Sequence, residues 1–276
     1  MLKGILIGLD GSRYSDVAVE LGVEWAKRYD ARLIGLGIVD EPTITAPSPV
    51  PIGAAHFKTE RDANLLADAH KRVRDFLTQF ADRCAKAGVN QRTLEADGLP
   101  HQQIVLEAQR CDLVLMGKQS YFHFETQEGP CETLWKVLHL SPRPIVIASP
   151  ARSNGEGVVV AFDGSLQAAK AVQALQTTGL DRLGPVHLVC VAQHDDAKDR
   201  AQRAIDFLAL HRIGTTLHLV DSGGPVADQL LAEASRLNAC LLVMGAYGQP
   251  GIREFVLGSV TRSILKQAAM PLLLAH

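Results

Sequence analysis

Ile5-Leu-Ile-Gly-Leu-Asp-Gly-Ser12 and Val158-Val-Val-Ala-Phe-Asp-Gly-Ser165 follow one plan. Each is an unbroken apolar run that stops on Asp-Gly-Ser and enters an Ala-containing helical stretch. Two further pairs follow in the same order: Leu113-Val-Leu-Met-Gly117 with Leu241-Leu-Val-Met-Gly245, and Pro144-Ile-Val-Ile-Ala148 with Pro271-Leu-Leu-Leu-Ala275. Three ordered matches identify a tandem duplication. The copies are offset by 153 residues at Asp10/Asp163 and by 128 at Gly117/Gly245, so the first carries 25 more residues between those points. Most of the excess falls in Asp40–Glu60. There Pro42, Pro47, Pro49 and Pro51 lead to the expectation of neither regular helix nor central strand. Such a segment is a lid, a binding loop, a surface flap or a solvated connector.

Strand and helix patterns alternate within each copy. In the first, strands are expected near Leu2–Leu9, Arg32–Val39, Arg92–Ala96, Leu113–Gly117 and Pro144–Ala148. Helices are expected near Ser15–Tyr29, Asp62–Ala87, Pro100–Gln109 and Cys131–Leu138. The strands are apolar on successive residues, as when helices cover both faces of a parallel sheet. The expected fold is therefore α/β, with two tandem doubly wound parallel-sheet domains. Residues 1–150 and 158–276 are read as the domains, and the small, polar stretch 151–157 as the linker. Pairing of Pro144–Ala148 with Pro271–Ala275 would cover two edges and relate the copies by a pseudo-two-fold.

Composition bounds the function. The chain has 276 residues, 47% of them hydrophobic and 21% charged, which suits a globular core and not disorder. A formal charge of −2 gives no global field for nucleic acid or anionic lipid. No apolar run reaches the ~18 residues of a membrane span, and Met1 leads straight into a strand pattern. The five cysteines, Cys84, Cys111, Cys131, Cys190 and Cys240, are odd in number and include no C-x-x-C pair, against a disulfide framework or a zinc site. A cytoplasmic protein in a reducing compartment is expected, with neither nucleic acid nor membrane as partner.

The segment after the fourth strand of the second copy carries the chemistry. Gly245 and Gly248 are separated by two residues, Gly248 and Gly258 by nine, and Ser259, Val260 and Thr261 then open an apolar-periodic helix. Glycines let the backbone approach a ligand closely. A fresh helix N-terminus offers unpaired N–H groups and partial positive charge, to which Ser259 and Thr261 add hydroxyls. This is a phosphate cradle by construction. Arg253 within the loop is read as a surface residue or a terminal-phosphate contact.

G-x2-G-x9-G-S after the fourth strand, with Asp-Gly-Ser after the first, resembles the universal stress protein family in its nucleotide-binding, tandem form. The resemblance implies an adenine nucleotide α-hydrolase-like fold and ATP or ADP as ligand, with or without Mg2+. It implies that Ala161, Phe162, Asp163 and Val191 line the adenosine side. Met244, Gly245, Gly248, Gly258, Ser259, Val260 and Thr261 would hold ribose and phosphates. Asp163 also has a local reading, as acceptor of backbone N–H bonds in its own turn, and both roles can hold at once. Self-association as a homodimer and a regulatory protein partner are further implications of the resemblance.

The first copy departs from this pattern. Gly117-Lys-Gln-Ser120 stands where the second has Gly245-Ala-Tyr-Gly248. Tyr121, Phe122, His123, Phe124, Glu125 and Glu128 bring bulk and negative charge, and Gly129-Pro-Cys-Glu132 replaces Gly-Ser-Val-Thr. Pro130 removes a donor and Glu132 repels phosphate, while both are ordinary helix-start residues. No triphosphate binding, or far weaker binding, is expected there.

Other features carry less. The ten histidines include no H-E-x-x-H, and His123, His139, His187, His194, His211 and His218 are read as surface or satisfied core residues. Ser222-Gly-Gly224 follows the third strand of its copy and matches Gly98-Leu-Pro100, so a shared turn explains it. Cys131 at a helix start has no resolving partner. No catalytic or metal-ligating residue is identified. The leading expectation is a nucleotide-binding regulator of the stress response. The alternatives are a slow ATPase or phosphotransferase, which lacks a second carboxylate or general base beyond Asp163, and a nucleotide-free interaction scaffold.

Overall fold

The structure, a computed structural model, describes residues 1–47, 55–122, 132–149, 155–192, 197–221, 223–246 and 258–276. The chain divides into two compact units, one of Lys3–Pro142 and one of Arg143–His276 together with Met1–Leu2.

The unit Lys3–Pro142 runs β1 (Gly4–Leu9), α1 (Arg13–Tyr29), β2 (Arg32–Val39), α2 (Glu41–Ile44), α3 (Ala55–Ala87), β3 (Gln91–Asp97), α4 (Pro100–Ala108), β4 (Leu113–Gly117) and α5 (Glu132–Leu140). Its strands lie in the order β3-β2-β1-β4, with all pairs parallel. Ile5, Leu6, Ile7, Leu113, Val114 and Leu115 are fully buried, because helices cover both faces of β1 and β4. The edge strand β3 alternates exposed and half-buried residues instead. Each fully buried aliphatic side chain contributes roughly 1.5–3 kcal/mol.

The expectation for Asp40–Glu60 is corrected at both ends. Glu41–Ile44 is a helical turn and α3 begins at Ala55. Pro42 sits at the start of α2, where its missing N–H is not needed. Asp40, 2% exposed, caps the turn by accepting from the Thr43 backbone N–H at 3.2 Å and the Thr43 hydroxyl at 2.9 Å. Asp62, 7% exposed, anchors the start of α3 through ion pairs with Lys58 and Arg61. These hydrogen bonds hold its carboxyl below the ordinary carboxylate range. Pro49 and Pro51 lie outside the described residues.

The second unit contains β5 (Ile145–Ala148), β6 (Gly157–Ala161), α6 (Leu166–Thr178), a 3-10 turn (Leu180–Leu183), β7 (Val186–Ala192), α7 (Ala197–Leu210), β8 (Thr215–Asp221), α8 (Val226–Arg236), β9 (Ala239–Gly245), α9 (Ser259–Gln267) and β10 (Leu272–Ala275). The strand order is β5-β10-β9-β6-β7-β8. β10, β9, β6, β7 and β8 pair parallel, and β5 pairs antiparallel with β10 through Leu272 and Ile147. Pro144–Ala148 thus meets Pro271–Ala275, and the last strand of the first copy in sequence belongs spatially to the second. Met1 and Leu2 join this unit by donating to Thr177 O at 2.7 Å and Thr178 O at 2.9 Å. Among the described residues no helix is long and apolar enough to cross a membrane.

Candidate functional site

β6 and β9 are neighbouring parallel strands, so their carboxyl ends open on one edge of the second unit's sheet. In open parallel sheets that edge is where ligands collect. Beyond β6 the chain turns through Phe162 and Asp163 into α6. Ala161 and Phe162 are each 9% exposed, and the Phe162 N–H donates to Val189 O at 2.9 Å. Asp163 is exposed. Its Oδ1 accepts from the Ser165 N–H at 2.9 Å, Gly164 takes φ +82°, and Ser165 Oγ caps α6 by accepting from Ala168 N at 3.1 Å. The first unit repeats the turn: Asp10 Oδ1 accepts from Ser12 N at 3.0 Å, Gly11 has φ +72°, and Ser12 Oγ accepts from Ser15 N at 3.3 Å. Asp-Gly-Ser is therefore first a strand-to-helix turn in both copies.

The glycines of the second copy divide by physical cause. A Cβ on Gly245 would lie 2.5 Å from the Gln167 carbonyl carbon and 2.6 Å from Ala168 N. One on Gly117 would lie 2.6 Å from the Tyr14 carbonyl. Both glycines thus allow the helix that follows the neighbouring strand, α6 after β6 or α1 after β1, to pass close over the strand end. Gly258 is different. Its φ of −53° suits any residue, and a Cβ there would meet nothing nearer than Thr261 Oγ1 at 3.9 Å. Neither conformation nor crowding among the described residues asks for glycine at 258.

Gly258 is the N-cap of α9, and among the described residues no side chain caps that helix. Its first turn has no acidic residue, whereas α5 begins on Glu132 and α6 is capped by Ser165. α9 leads into β10, parallel to β9, which directs its N-terminus to the same sheet edge as Asp163. Ser259 is exposed and Val260 half-buried, while Thr261 is 4% exposed and packs with the helix core. Met244 is 5% exposed, and Val191, half-buried, lies on β7 opposite Val220. The structure thus gathers Ala161, Phe162, Asp163, Val191, Met244, Gly245, Gly258, Ser259, Val260 and Thr261 along one edge. Gly248 and Arg253 lie outside the described residues.

The corresponding edge of the first unit is filled by its own chain. Phe122, 2% exposed with φ +57°, brings its ring to 3.0 Å from where a Gly8 Cβ would stand, next to Ile104. The Tyr121 N–H donates to Asp10 Oδ2 at 2.9 Å, so both oxygens of that carboxylate are engaged. Ser120 is fully buried and its hydroxyl donates to Gly117 O at 3.4 Å. Gly8 matches Ala161 in the duplicated strand. The residues read from sequence as bulk in the way of a phosphate therefore include one that occupies the strand end itself.

Two features were missed from sequence. The Asp10–Tyr121 contact joins residues 111 apart, which no local pattern reveals. Arg200, in the first turn of α7, packs its stem on Gly164, its Cδ lying 2.5 Å from the Cβ position. Its signal, a cation at the helix start after the second strand, was readable but not distinctive. Cys190 on β7 lies within the influence of both Asp163 and Arg200. Burial pushes its thiol up to about 11, Asp163 pushes the same way and Arg200 opposes. It is an inert core thiol at neutral pH. No group of three or more His, Cys, Asp or Glu side chains among the described residues is placed to hold a metal.

Comparison with known proteins bears on this architecture. The sequence model of the universal stress protein family matches residues 1–148 and again 156–276. A universal stress protein of Synechocystis sp. is 26% identical over 164 residues, which cover 59% of this chain and 57% of that protein, so the match spans little more than half of that relative's length. A universal stress protein of Methanocaldococcus jannaschii is 24% identical over 142 residues, covering 51% of this chain and 82% of that one. Among solved structures, a universal stress protein from Archaeoglobus fulgidus superposes with a TM-score of 0.71 at 19% identity, over 99% of this chain and 97% of that chain. A functionally unknown protein from Pseudomonas aeruginosa gives 0.62 at 17% identity, over 99% and 92%. Two family matches, one on each repeat, together with a sheet order that alternates with helices as the duplication requires, lead to one conclusion: this chain belongs to the universal stress protein family, carrying its domain twice in tandem.

Proposed function

We propose that the second copy binds an adenine nucleotide, ATP or ADP, at the edge formed by β6, β7 and β9. On this reading the chain is a nucleotide-dependent regulator whose occupancy sets its contact with a second copy or a protein partner. The observation that carries the reading is Gly258: among the described residues nothing crowds its Cβ position and its φ is open to any residue, and it is the N-cap of a helix for which those residues supply no side-chain cap. The first-turn N–H groups of α9 and the exposed Ser259 hydroxyl are a fitting seat for phosphate. A Cβ at 258 would stand where a ligand oxygen approaches the backbone. A metal ion such as Mg2+ would arrive with the phosphates, since the described side chains supply no cluster for it. The first copy, plugged by Phe122 and with Asp10 fully engaged, is read as nucleotide-free.

Ser259→Glu separates ligand binding from helix stability. A carboxylate in the first turn of α9 stabilises the helix by roughly 0.3–1 kcal/mol through its dipole, yet repels phosphate. ATP affinity measured by calorimetry should fall at least tenfold while the urea midpoint holds or rises. Unchanged ATP affinity in a folded variant would contradict the seat.

A further inference from the structure

We propose that the carboxyl end of β1 is a binding slot for a flat ring bearing an N–H donor, and that the chain keeps it closed with an internal stand-in made of Tyr121 and Phe122. The slot stands apart from any nucleotide in the second copy. Phe122 has φ +57°, in the left-handed region that bulky side chains avoid. Three other non-glycine residues among those described have positive φ: Asp30, Arg212 and Asn238. Each comes just after a helix, α1, α7 or α8, where that conformation closes the last turn. Phe122 follows a strand, β4, and not a helix. Its ring is what holds it there, since the residue is 2% exposed. Backbone strain of this kind persists only where the surroundings impose it, and here they impose it on an aromatic ring at a strand end.

The slot has an apolar wall and a carboxylate acceptor. Phe122 Cζ lies 3.0 Å and Cε2 3.8 Å from the Cβ position of Gly8, and Ile104 Cδ1 lies 3.9 Å from the same point. Gly8 is a strand residue without positive φ, so conformation does not ask for glycine there; the close ring does. The second copy has Ala161 at the matching position, and its methyl group takes the space that the ring uses beside Gly8. The acceptor is Asp10. Its Oδ1 serves the turn by accepting from the Ser12 N–H at 3.0 Å, and its Oδ2 accepts from the Tyr121 N–H at 2.9 Å. Two successive residues thus present an aromatic plane to a glycine and an N–H to a carboxylate. A heteroaromatic ring with its own N–H presents both features by itself. Release of the stand-in is assisted, because the strained torsion at 122 relaxes when the ring leaves. Phe122 is thereby a competitor tethered beside the slot.

Amide hydrogen exchange of the unaltered chain tests the closure. The Tyr121 N–H should exchange by local opening, about a hundredfold or more faster than the Ile7 N–H in β1. Exchange at the rate of Ile7 would make Phe122 ordinary core and overturn the proposal. Indole, a flat ring with one N–H, and benzofuran, the same shape without it, test the ligand class by calorimetry with ATP in excess. The unaltered chain should bind neither saturably, and it controls for binding at the second copy. Phe122→Ala removes the ring and lets the backbone leave the left-handed region, which frees Asp10 Oδ2. It should bind one indole per chain, about tenfold tighter than benzofuran. Phe122→Gly removes the ring but keeps its φ without strain, so Tyr121 stays on Asp10 and the two probes should bind equally. Equal affinities in Phe122→Ala would reveal only the hole left by a core side chain and would overturn the proposal. So would the absence of indole binding in both folded variants, or indole binding as tight in the unaltered chain as in Phe122→Ala. Where neither variant folds, the exchange rate of Tyr121 decides alone.

Discussion

Gly245 and Gly258 both belong to the glycine-spaced segment after β9, yet they lack side chains for opposite reasons. Gly245 is crowded by the backbone of Gln167 and Ala168, whereas among the described residues a Cβ at Gly258 would meet nothing nearer than Thr261 Oγ1 at 3.9 Å. Gly245→Ala should therefore cost about 2 kcal/mol or more in urea unfolding, as overpacking against backbone does, and Gly117→Ala should cost a similar amount. Gly258→Ala should change stability by less than about 1 kcal/mol either way, because the freedom lost by the unfolded chain is offset by alanine's poorer fit at a helix N-cap. Only the 258 variant should weaken nucleotide binding at unchanged stability. A large stability loss at 258, or none at 245, would reverse the assignment. The spacing of these glycines was plain in the sequence. Which of them the fold requires was not, because the crowding atoms at 245 belong to Gln167 and Ala168, 78 and 77 residues away in the chain.

At the scale of elements, β7, β8 and α8 meet through a polar chain. His187 Nδ1 is 3.1 Å from His218 Nε2, His218 Nδ1 is 3.4 Å from Glu233 Oε1, and Arg236 Nη2 donates to Glu233 Oε1 at 2.6 Å. Burial holds the His187 imidazole below its ordinary 6.5, the charges on His218 and Arg236 push the same way, and Glu233 opposes. The hydrogen bond from Arg236 holds the Glu233 carboxyl below its ordinary range. The unfolded chain thus takes up a proton at His187 before the folded one does. This contribution to stability is complete above about pH 6.5 and is lost as pH falls through the lower folded value. Urea midpoints at pH 7.5 and pH 5.5 should differ by less in His187→Gln than in wild type, and an equal difference would place the titration elsewhere. Both histidines are read from sequence as surface or satisfied core residues, and the neighbouring strands β7 and β8 satisfy each with the other. The register that brings them together, Val189 opposite His218, is set by the crossover through α7 and is not written in either strand. Helix placement shows the same limit. The prolines of Asp40–Glu60 spoke against helix, but Pro42 starts a helical turn, where proline is at home, and α3 extends back to Ala55.

For the whole molecule the duplication was legible from the outset, because strand runs, turn residues and strand-end glycines recur in order. The family followed from the same residues. What the sequence did not show was how the copies diverge physically. In one, the edge beside β1 is filled by Phe122 and the Asp10–Tyr121 bond, and in the other the edge beside β6 carries a helix that opens on Gly258 with no side-chain cap among the described residues. Residues far apart in the chain produce that contrast. Under the proposed function one copy holds an adenine nucleotide and the other does not. The most direct measurement is acid extraction and chromatography of freshly purified chain, followed by calorimetric titration of stripped protein with ATP. A saturable stoichiometry of one nucleotide per chain is expected. Two equivalent sites, or no bound nucleotide and no saturable binding, would contradict it.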